Sequence, residues 1–419
     1  MNFLYILTTT LSLMLLACGH NSKTPQTFAL KNDKPDSSGL AMKYYQPSSQ
    51  EEYRQIIRRS QILIERPENP DYKRGPEGGF WPTTANGIAD LECQLVPFKP
   101  KGPNSGKTPK FKCRFEGQKL KVKYHHRNPN LGPQNHEVFA EVAASRLMWG
   151  IGFAADRVYP ATVDCQGCTA DPFGKALMST GSYYFDLASI ELKFPGKAVE
   201  LRNKKDGTKI EGWRFSDLLK PEFLSPDKKE LRKQVIDRQA LILFASMLQH
   251  ADSKADNQRL VCSRIIKARG KPYCEKPYLV WHDLGATFAK GFSLAKPYLE
   301  LTKMNIDDWS NQPIFNQSKK VPACTTHIRH IPRVAALLGK GSTLYPTQIS
   351  EEAVNLLYRR LDRIKFAQLK SIFQAARTKE LNSQSTPSRW TEATLAKIAE
   401  LKDVLSSKIC PKVQNQIMH

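Results

Sequence analysis

Polar and apolar positions alternate most sharply between residues 110 and 124. Lys110-Phe111-Lys112-Cys113-Arg114-Phe115 alternates, Glu116-Gly117 interrupts, and Lys119-Leu120-Lys121-Val122-Lys123-Tyr124 alternates again. That is the pattern of a β-hairpin. Its apolar face carries Leu120, Val122 and Tyr124, so Lys121 and Lys123 point together to the other face. Strand character begins near residue 91 and returns at 157–164, in a second hairpin at 198–214 around Asp206-Gly207, and at Tyr278-Leu279-Val280-Trp281. Helical spacing marks 50–65, 134–149, 228–249, 350–377 and 390–408, whereas 66–90 is rich in Pro and Gly and reads as loop. On the 134–149 helix, Val138, Val142, Leu147 and Trp149 are among the apolar positions, and Glu137 and Glu141 share one face. No internal repeat is visible. The order predicts an α+β chain: a β-rich part with one helix over 91–215, then a mainly helical part over 216–419, forming two lobes with a cleft between them.

The first residues change the compartment in which this body is read. Residues 3–17 form an apolar run too short to span a bilayer comfortably, and read as a signal peptide without the usual basic start. The run ends Leu15-Leu16-Ala17-Cys18-Gly19, which resembles a bacterial lipoprotein cleavage box with Cys18 as the lipidated residue. The plainer alternative is an ordinary secretory signal. Residues 18–50, polar and Pro-containing, then form a tether that places the protein at the cell envelope outside the cytoplasm. Residues 51–90 extend the folded body with a helix and a loop.

Export also decides how cysteines are read. Of the 9 Cys, removing Cys18 leaves an even set, and proximity pairs Cys93 with Cys113, Cys165 with Cys168, Cys262 with Cys274, and Cys324 with Cys410. Cys165-Gln-Gly-Cys168 could alternatively be a redox pair or half a zinc site, but no second such pair exists to complete the latter. His327 and His330 near Cys324 read as structural.

With 40 % hydrophobic residues the chain has enough apolar matter for a core, which excludes wholesale disorder. A formal net charge of +23 favours anionic partners. The basic stretches lack the spacing of a nucleic-acid reader, and export argues against nucleic acid as the partner. Two other motifs fail. Gly102–Thr108 is one residue short of a Walker loop and precedes a hairpin, and His136-Glu137 has Ala140 where a zinc protease has its second His.

The remaining chemistry lies after the 228–249 helix. His250-Ala251-Asp252-Ser253-Lys254-Ala255-Asp256-Asn257 is followed, at the end of a strand, by Asp283-Leu284-Gly285. An Asp five residues before an Asn, with a later Asp-x-Gly, suits phosphoryl transfer: one Asp takes a hydroxyl proton, while the Asn and second Asp hold metal on the phosphates. The two strings resemble H-R-D-x-K-x-x-N and D-F-G of the protein-kinase-like superfamily, over roughly residues 91–300. The stretch from Glu141 to Gly152 is similar to the corresponding helix of HipA-type kinases, and the whole looks closer to HipA-type, CotH-type and phosphoinositide-kinase-like branches than to ordinary serine/threonine kinases.

The resemblance implies Asp252 as catalytic base, Lys254 as the group neutralising the transferred phosphate, and Asn257 and Asp283 as ligands of Mg or Mn. It implies a lysine on the ATP phosphates, Lys123 or its alternative Lys121, held by a helix glutamate, Glu141 or its alternative Glu137. The chain departs from the family in four places. Gly102–Lys110 stands where the glycine-rich loop belongs, Ala251 replaces the Arg, Leu284 replaces the Phe, and the gap from Asn257 to Asp283 is long, with Cys262 and Cys274 expected to staple a hairpin insertion there. Three functional expectations follow. One is an exported phosphotransferase moving a nucleotide γ-phosphoryl to a hydroxyl on a protein, lipid or glycan. The alternative is a catalytically inactive kinase-fold lipoprotein that binds an anionic partner. A structural protein of the envelope is the third.

Overall fold

A computed structural model describes residues 44–76, 81–97, 108–173, 181–202, 209–250, 252–288, 303–328 and 343–417. The signal peptide, Cys18, most of the tether, Gly102–Gly106, the Asp206-Gly207 turn, Ala251 and His330 lie outside the described residues. Among the described residues no helix is long and apolar enough to cross a membrane.

The first helix, α1 (Gln50–Arg59), is capped by the Ser49 side chain accepting from Glu52 N, with Glu51 and Glu52 in its first turn and Arg58 and Arg59 in its last. Both charge placements complement the helix dipole. It is shorter than the 50–65 span that the spacing suggests. From Gln61 the chain is drawn alongside a strand, with Gln61 N donating to Pro277 O and Gln61 O accepting from Leu279 N.

Five strands close into a barrel: β1 (Ala89–Val96), β2 (Lys110–Phe115), β3 (Gln118–Tyr124), β4 (Arg157–Gln166) and β5 (Ser182–Leu192), in the order β1-β2-β3-β5-β4. Neighbours are antiparallel except β4 and β1, whose parallel pairing closes the ring. The β2–β3 hairpin forms in the register that the alternation implies, turning at Glu116 and Gly117. Leu91, Phe111, Leu120, Val122, Tyr124, Phe185 and Ile190 fill the barrel. The helix α2 (Glu137–Ile151) packs outside it and ends at Gly152, whose φ of 77° lets Phe153 N reach back to Met148 O.

Three short strands follow, β6 (Lys197–Ala198), β7 (Glu200–Arg202) and β8 (Lys209–Glu211). The long helix α3 (Lys228–Met247) is capped by Asp227. A long antiparallel ribbon comes next, β9 (Gln258–Ala268) with β10 (Lys271–Trp281), and β6 adds to it as a third strand. Among the described residues the later helices are α4 (Ile306–Ser310), α5 (Glu351–Leu361), α6 (Phe366–Ala375), α7 (Pro387–Ser407) and α8 (Val413–Ile417). The 350–377 segment, read above as one helix, is therefore two. The break at Asp362–Lys365 contains neither Gly nor Pro, and the second helix restarts with Gln368 capping Lys365 N.

The second core joins α2 and α3 to β10 and the last helices through Phe139, Leu147, Phe244, Trp281, Trp309 and Trp390. Arg377 links it to the barrel, donating to the carbonyls of Ala161, Asp186 and Ala188. All four proximity-based cysteine pairs are at bonding distance: 93–113, 165–168, 262–274 and 324–410. Disulfides of this number persist in oxidising surroundings outside the cytosol.

Candidate functional site

Strand alternation delivers the first part of the site. Because Leu120, Val122 and Tyr124 point into the barrel, Lys121 and Lys123 leave it on the outer face towards α2 and the end of β10. The two lysines then part company. Lys123 is 2 % exposed, and its Nζ lies 2.5 Å from Glu137 Oε2, 2.5 Å from Glu141 Oε1 and 3.4 Å from Asp283 Oδ1. Lys121 instead pairs at 2.5 Å with Glu191, its direct cross-strand neighbour on β5. The choice between Glu137 and Glu141 dissolves, since one turn of α2 presents both to the same ammonium. Thr108 Oγ1 donates to the second oxygen of Glu137 at 2.8 Å.

The β9–β10 ribbon delivers the second part. Its foot pairs Gln258 with Trp281, so the residues just outside the ladder, Asn257 on one side and His282 and Asp283 on the other, meet. The Asn257 carbonyl accepts from both His282 N (3.2 Å) and Asp283 N (3.1 Å). Asn257 Nδ2 donates to the Asp252 carbonyl at 2.7 Å, which folds the loop back on itself. Asp252 and Lys254 project outward as a pair, Oδ2 to Nζ 3.0 Å, with side chains 46 % and 41 % exposed. His250 is buried beneath them, its Nε2 accepting from Trp281 Nε1 at 3.2 Å. Burial lowers its pKa to about 4, so it is a neutral anchor near neutral pH. Gly285 is required by proximity: a Cβ there would meet Glu137 Oε2 at 2.6 Å.

The electrostatics follow from one ammonium facing three carboxylates. Burial alone would depress Lys123, but Asp283, Glu137 and Glu141 overcome it and hold the ammonium well above the usual lysine range. Burial pushes Glu141 up to about 8 despite Lys123, with Asp283 and Glu137 adding to the rise. Burial works against Asp283 as well, yet Lys123, Lys121 and His282 keep it ionised well below the usual range. The oxygens of Glu137, Glu141 and Asp283 converge within 4.8 Å, a hard, all-oxygen set of the kind that suits Mg or Mn.

A second cluster lies beside the first and was invisible in the sequence. Asp156, fully buried, takes His282 Nδ1 at 2.5 Å, Phe194 N at 2.7 Å and Arg259 Nη1 at 3.6 Å. Glu191 takes Lys121 and lies 3.6 Å from His282 Nδ1. These partners come from five separate stretches of chain, and no local pattern announces them. Lys110, facing Lys123 across the β2–β3 ladder, was passed over as the tail of the unmatched phosphate loop. Burial, then Lys123 and Lys121, lower its pKa. Two cavities lie elsewhere among the described residues. One of about 860 Å³ is lined by Leu219, Leu224, Leu231 and Val235, and another of about 570 Å³ by Tyr44, Tyr45 and Tyr273.

No family model matches the chain, and no curated protein matches it. Among solved structures it is similar to a proinflammatory kinase of Helicobacter pylori, CtkA, at 13 % identity and a TM-score of 0.36, covering 76 % of this chain and 98 % of that one. It is also similar to HipA from the HipA–HipB–operator DNA complex of Shewanella oneidensis MR-1, at 14 % identity and a TM-score of 0.32, covering 74 % and 70 %. At TM-scores this low neither likeness bears on the site, whose reading rests on its own geometry.

Proposed function

We propose that the protein is an exported, lipid-anchored kinase-like phosphotransferase whose β-rich and helical parts act as two lobes around a nucleotide. The observation that carries this reading is the convergence of Lys123, Glu137, Glu141 and Asp283 on one point, with Asn257 clasping the backbone of Asp283. These residues come from a strand, a helix, a loop and a strand end, and a purely structural ion pair needs only two of them.

In this reading Lys123, oriented by the two glutamates, grips the phosphates of ATP. Asp283 and Asn257 would hold Mg or Mn, and the fit is chemical. The amide nitrogen of Asn257 is already engaged, which leaves its oxygen as the free donor, and Asp283 stays ionised. The metal supplies charge neutralisation on the phosphate oxygens. Asp252 accepts the proton of an acceptor hydroxyl as its oxygen bonds to the γ-phosphorus and the bond to the bridging oxygen breaks, releasing ADP. Lys254, kept charged by Asp252 although burial works against it, balances the moving phosphoryl. The outward exposure of Asp252 and Lys254 leaves room for an acceptor carried on a protein, lipid or glycan.

Thermal unfolding of residues 44–419 with ATP and Mg or Mn tests the reading. A ligand at 100 times its Kd adds about 2.7 kcal/mol. A metal-dependent rise in Tm, abolished in Asp283→Ala, is expected. Asp252→Asn should keep that shift while slowing ADP release by about 10²–10⁴-fold. No shift with any nucleotide in the wild type would sink the enzyme reading. The +23 net charge would then favour the inactive, anion-binding lipoprotein.

A further inference from the structure

Between Asp252 and Lys254 sits Ser253, which is fully buried although both its neighbours point outward. Its partners come from a distant strap, residues 343–350. Ser253 Oγ accepts from Thr343 N at 2.8 Å and from Leu344 N at 2.9 Å. In the other direction Thr343 Oγ1 donates to the Ser253 carbonyl. The same hydroxyl oxygen accepts from Phe215 N at 3.1 Å. Phe215 in turn packs edge-on against Trp281, the last residue of β10 and the partner of His250.

The strap is itself fixed at several points. Thr347 and Thr326 exchange two hydrogen bonds, Thr326 N to Thr347 O and Thr347 N to Thr326 Oγ1. Ile349 N donates to Cys324 O, and Glu351 N donates to Pro411 O, next to Cys410. The Cys324–Cys410 disulfide thus braces both sides of the strap. Ser350 closes it onto α3 through Gln239.

We infer that the Ser253–Thr343 clasp is a positioning device for the phosphoryl-transfer loop, with the Thr343 hydroxyl setting where Asp252 and Lys254 stand relative to the bound phosphates. The inference rests on the phosphotransferase reading, to which it adds a part that no motif contains. The clasp fixes the loop at residue 253 and the Asn257 amide ties residue 257 to the Asp252 carbonyl, so Asp252 and Lys254, on either side of Ser253, move only as far as these two anchors allow. Displacing a proton acceptor by about 1 Å can slow a reaction about 100-fold without touching the chemistry itself. Nucleotide binding depends on Lys123 and Asp283, which hang from other elements, and on Asn257, which its carbonyl ties to the backbone of His282 and Asp283, so the clasp leaves it alone.

Thr343→Val keeps the branched shape and removes the hydroxyl, whereas Thr343→Ser keeps the hydroxyl and removes a methyl. The expected result is a fall of at least tenfold in kcat for ADP release in Thr343→Val, with KM for ATP and the metal–nucleotide Tm shift unchanged, and a kcat within twofold of wild type in Thr343→Ser. Amide hydrogen exchange on the same proteins should show faster exchange at 252–257 in the Val variant alone. Should the Val variant fold poorly, Ser253→Ala removes the other half of the clasp and is judged by the same criteria. A Val variant with wild-type kcat, or a Ser variant that falls as far as the Val variant, overturns the clasp. A wild type without nucleotide binding or ADP release overturns the phosphotransferase reading instead. The exchange data then decide the clasp by themselves: equal exchange at 252–257 in wild type and Val variant refutes it.

Discussion

Two ion clusters lie side by side at the edge of the barrel, and their charges are arranged differently. Around Lys123, three carboxylates face a single ammonium. Around Asp156 and Glu191, two carboxylates meet Lys121, Arg259 and the His282 ring. The pKa shifts follow the contrast. Glu191 is buried, yet Lys121 and His282 pull it down to about 2, while burial leaves Glu141 at about 8. At Glu141 burial is the larger cause, and the neighbouring Asp283 and Glu137 carboxylates add to it. The Asp156–Glu191 cluster is complete as folded and works as a bracket, fixing His282 and through it the start of the Asp-Leu-Gly turn. The Lys123 cluster has one ammonium for three carboxylates, and under the phosphotransferase reading proposed above a metal ion would balance it.

Removing the two lysines should separate the clusters most clearly. Lys123→Met strands two buried carboxylates and the part-exposed Asp283, and should cost roughly 3–5 kcal/mol in urea unfolding. Lys121→Met leaves Glu191 with His282, and the lysine side chain is already 25 % exposed, so about 1–2 kcal/mol is expected. The reverse order would break the comparison. Divalent metal alone is the next discriminator. Mn titrated into the nucleotide-free protein should bind roughly tenfold more weakly in Asp283→Asn, whereas Glu191→Gln should bind it like wild type. Equal losses would mean that the second cluster also takes metal.

The smallest effect is in pH dependence, where the two clusters carry opposite signs. Glu141 keeps its proton in the fold up to about 8 but loses it near 4.5 when unfolded, so its contribution to stability falls as pH rises from 4.5 to 8. Glu191 is ionised in the fold down to about 2, so its contribution is complete above 4.5 and is lost as pH falls towards 2. Unfolding curves across both windows should show Glu141→Gln flattening only the upper slope and Glu191→Gln only the lower.

The sequence was most informative where the physics is local. The β2–β3 hairpin, α2 and α3 follow from periodicity, and three of the four disulfides join cysteines within one hairpin or turn or between paired strands; the fourth takes the two that remain. The site's strings at His250–Asn257 and Asp283–Gly285 were legible because each lies within a few residues. Pattern could not choose between Lys121 and Lys123, since alternation treats them alike and only α2 and β5 tell them apart. β5 went unread because its buried half, Ala188-Ser189-Ile190-Glu191, carries polar groups that face the ion clusters and spoil the apolar pattern. Asp156, Glu191 and Thr343 were out of reach for the same reason: each gains its meaning from a partner far along the chain.

The β9–β10 ribbon has one more consequence, for how far apart the two halves of the motif need to be. Asn257 and Asp283 meet at its foot, while Arg269 and Gly270 turn the chain at its tip with φ of 51° and 76°. Residues added in matched pairs at the tip would lengthen the ribbon and leave the foot unchanged. Spacing in sequence is therefore a free parameter here, and a search that demands a fixed gap between the two strings will overlook chains built on this plan. The tip, about ten rungs or roughly 30 Å from the foot, is also a natural port for a fluorophore or an affinity tag that must report on the molecule without entering its chemistry.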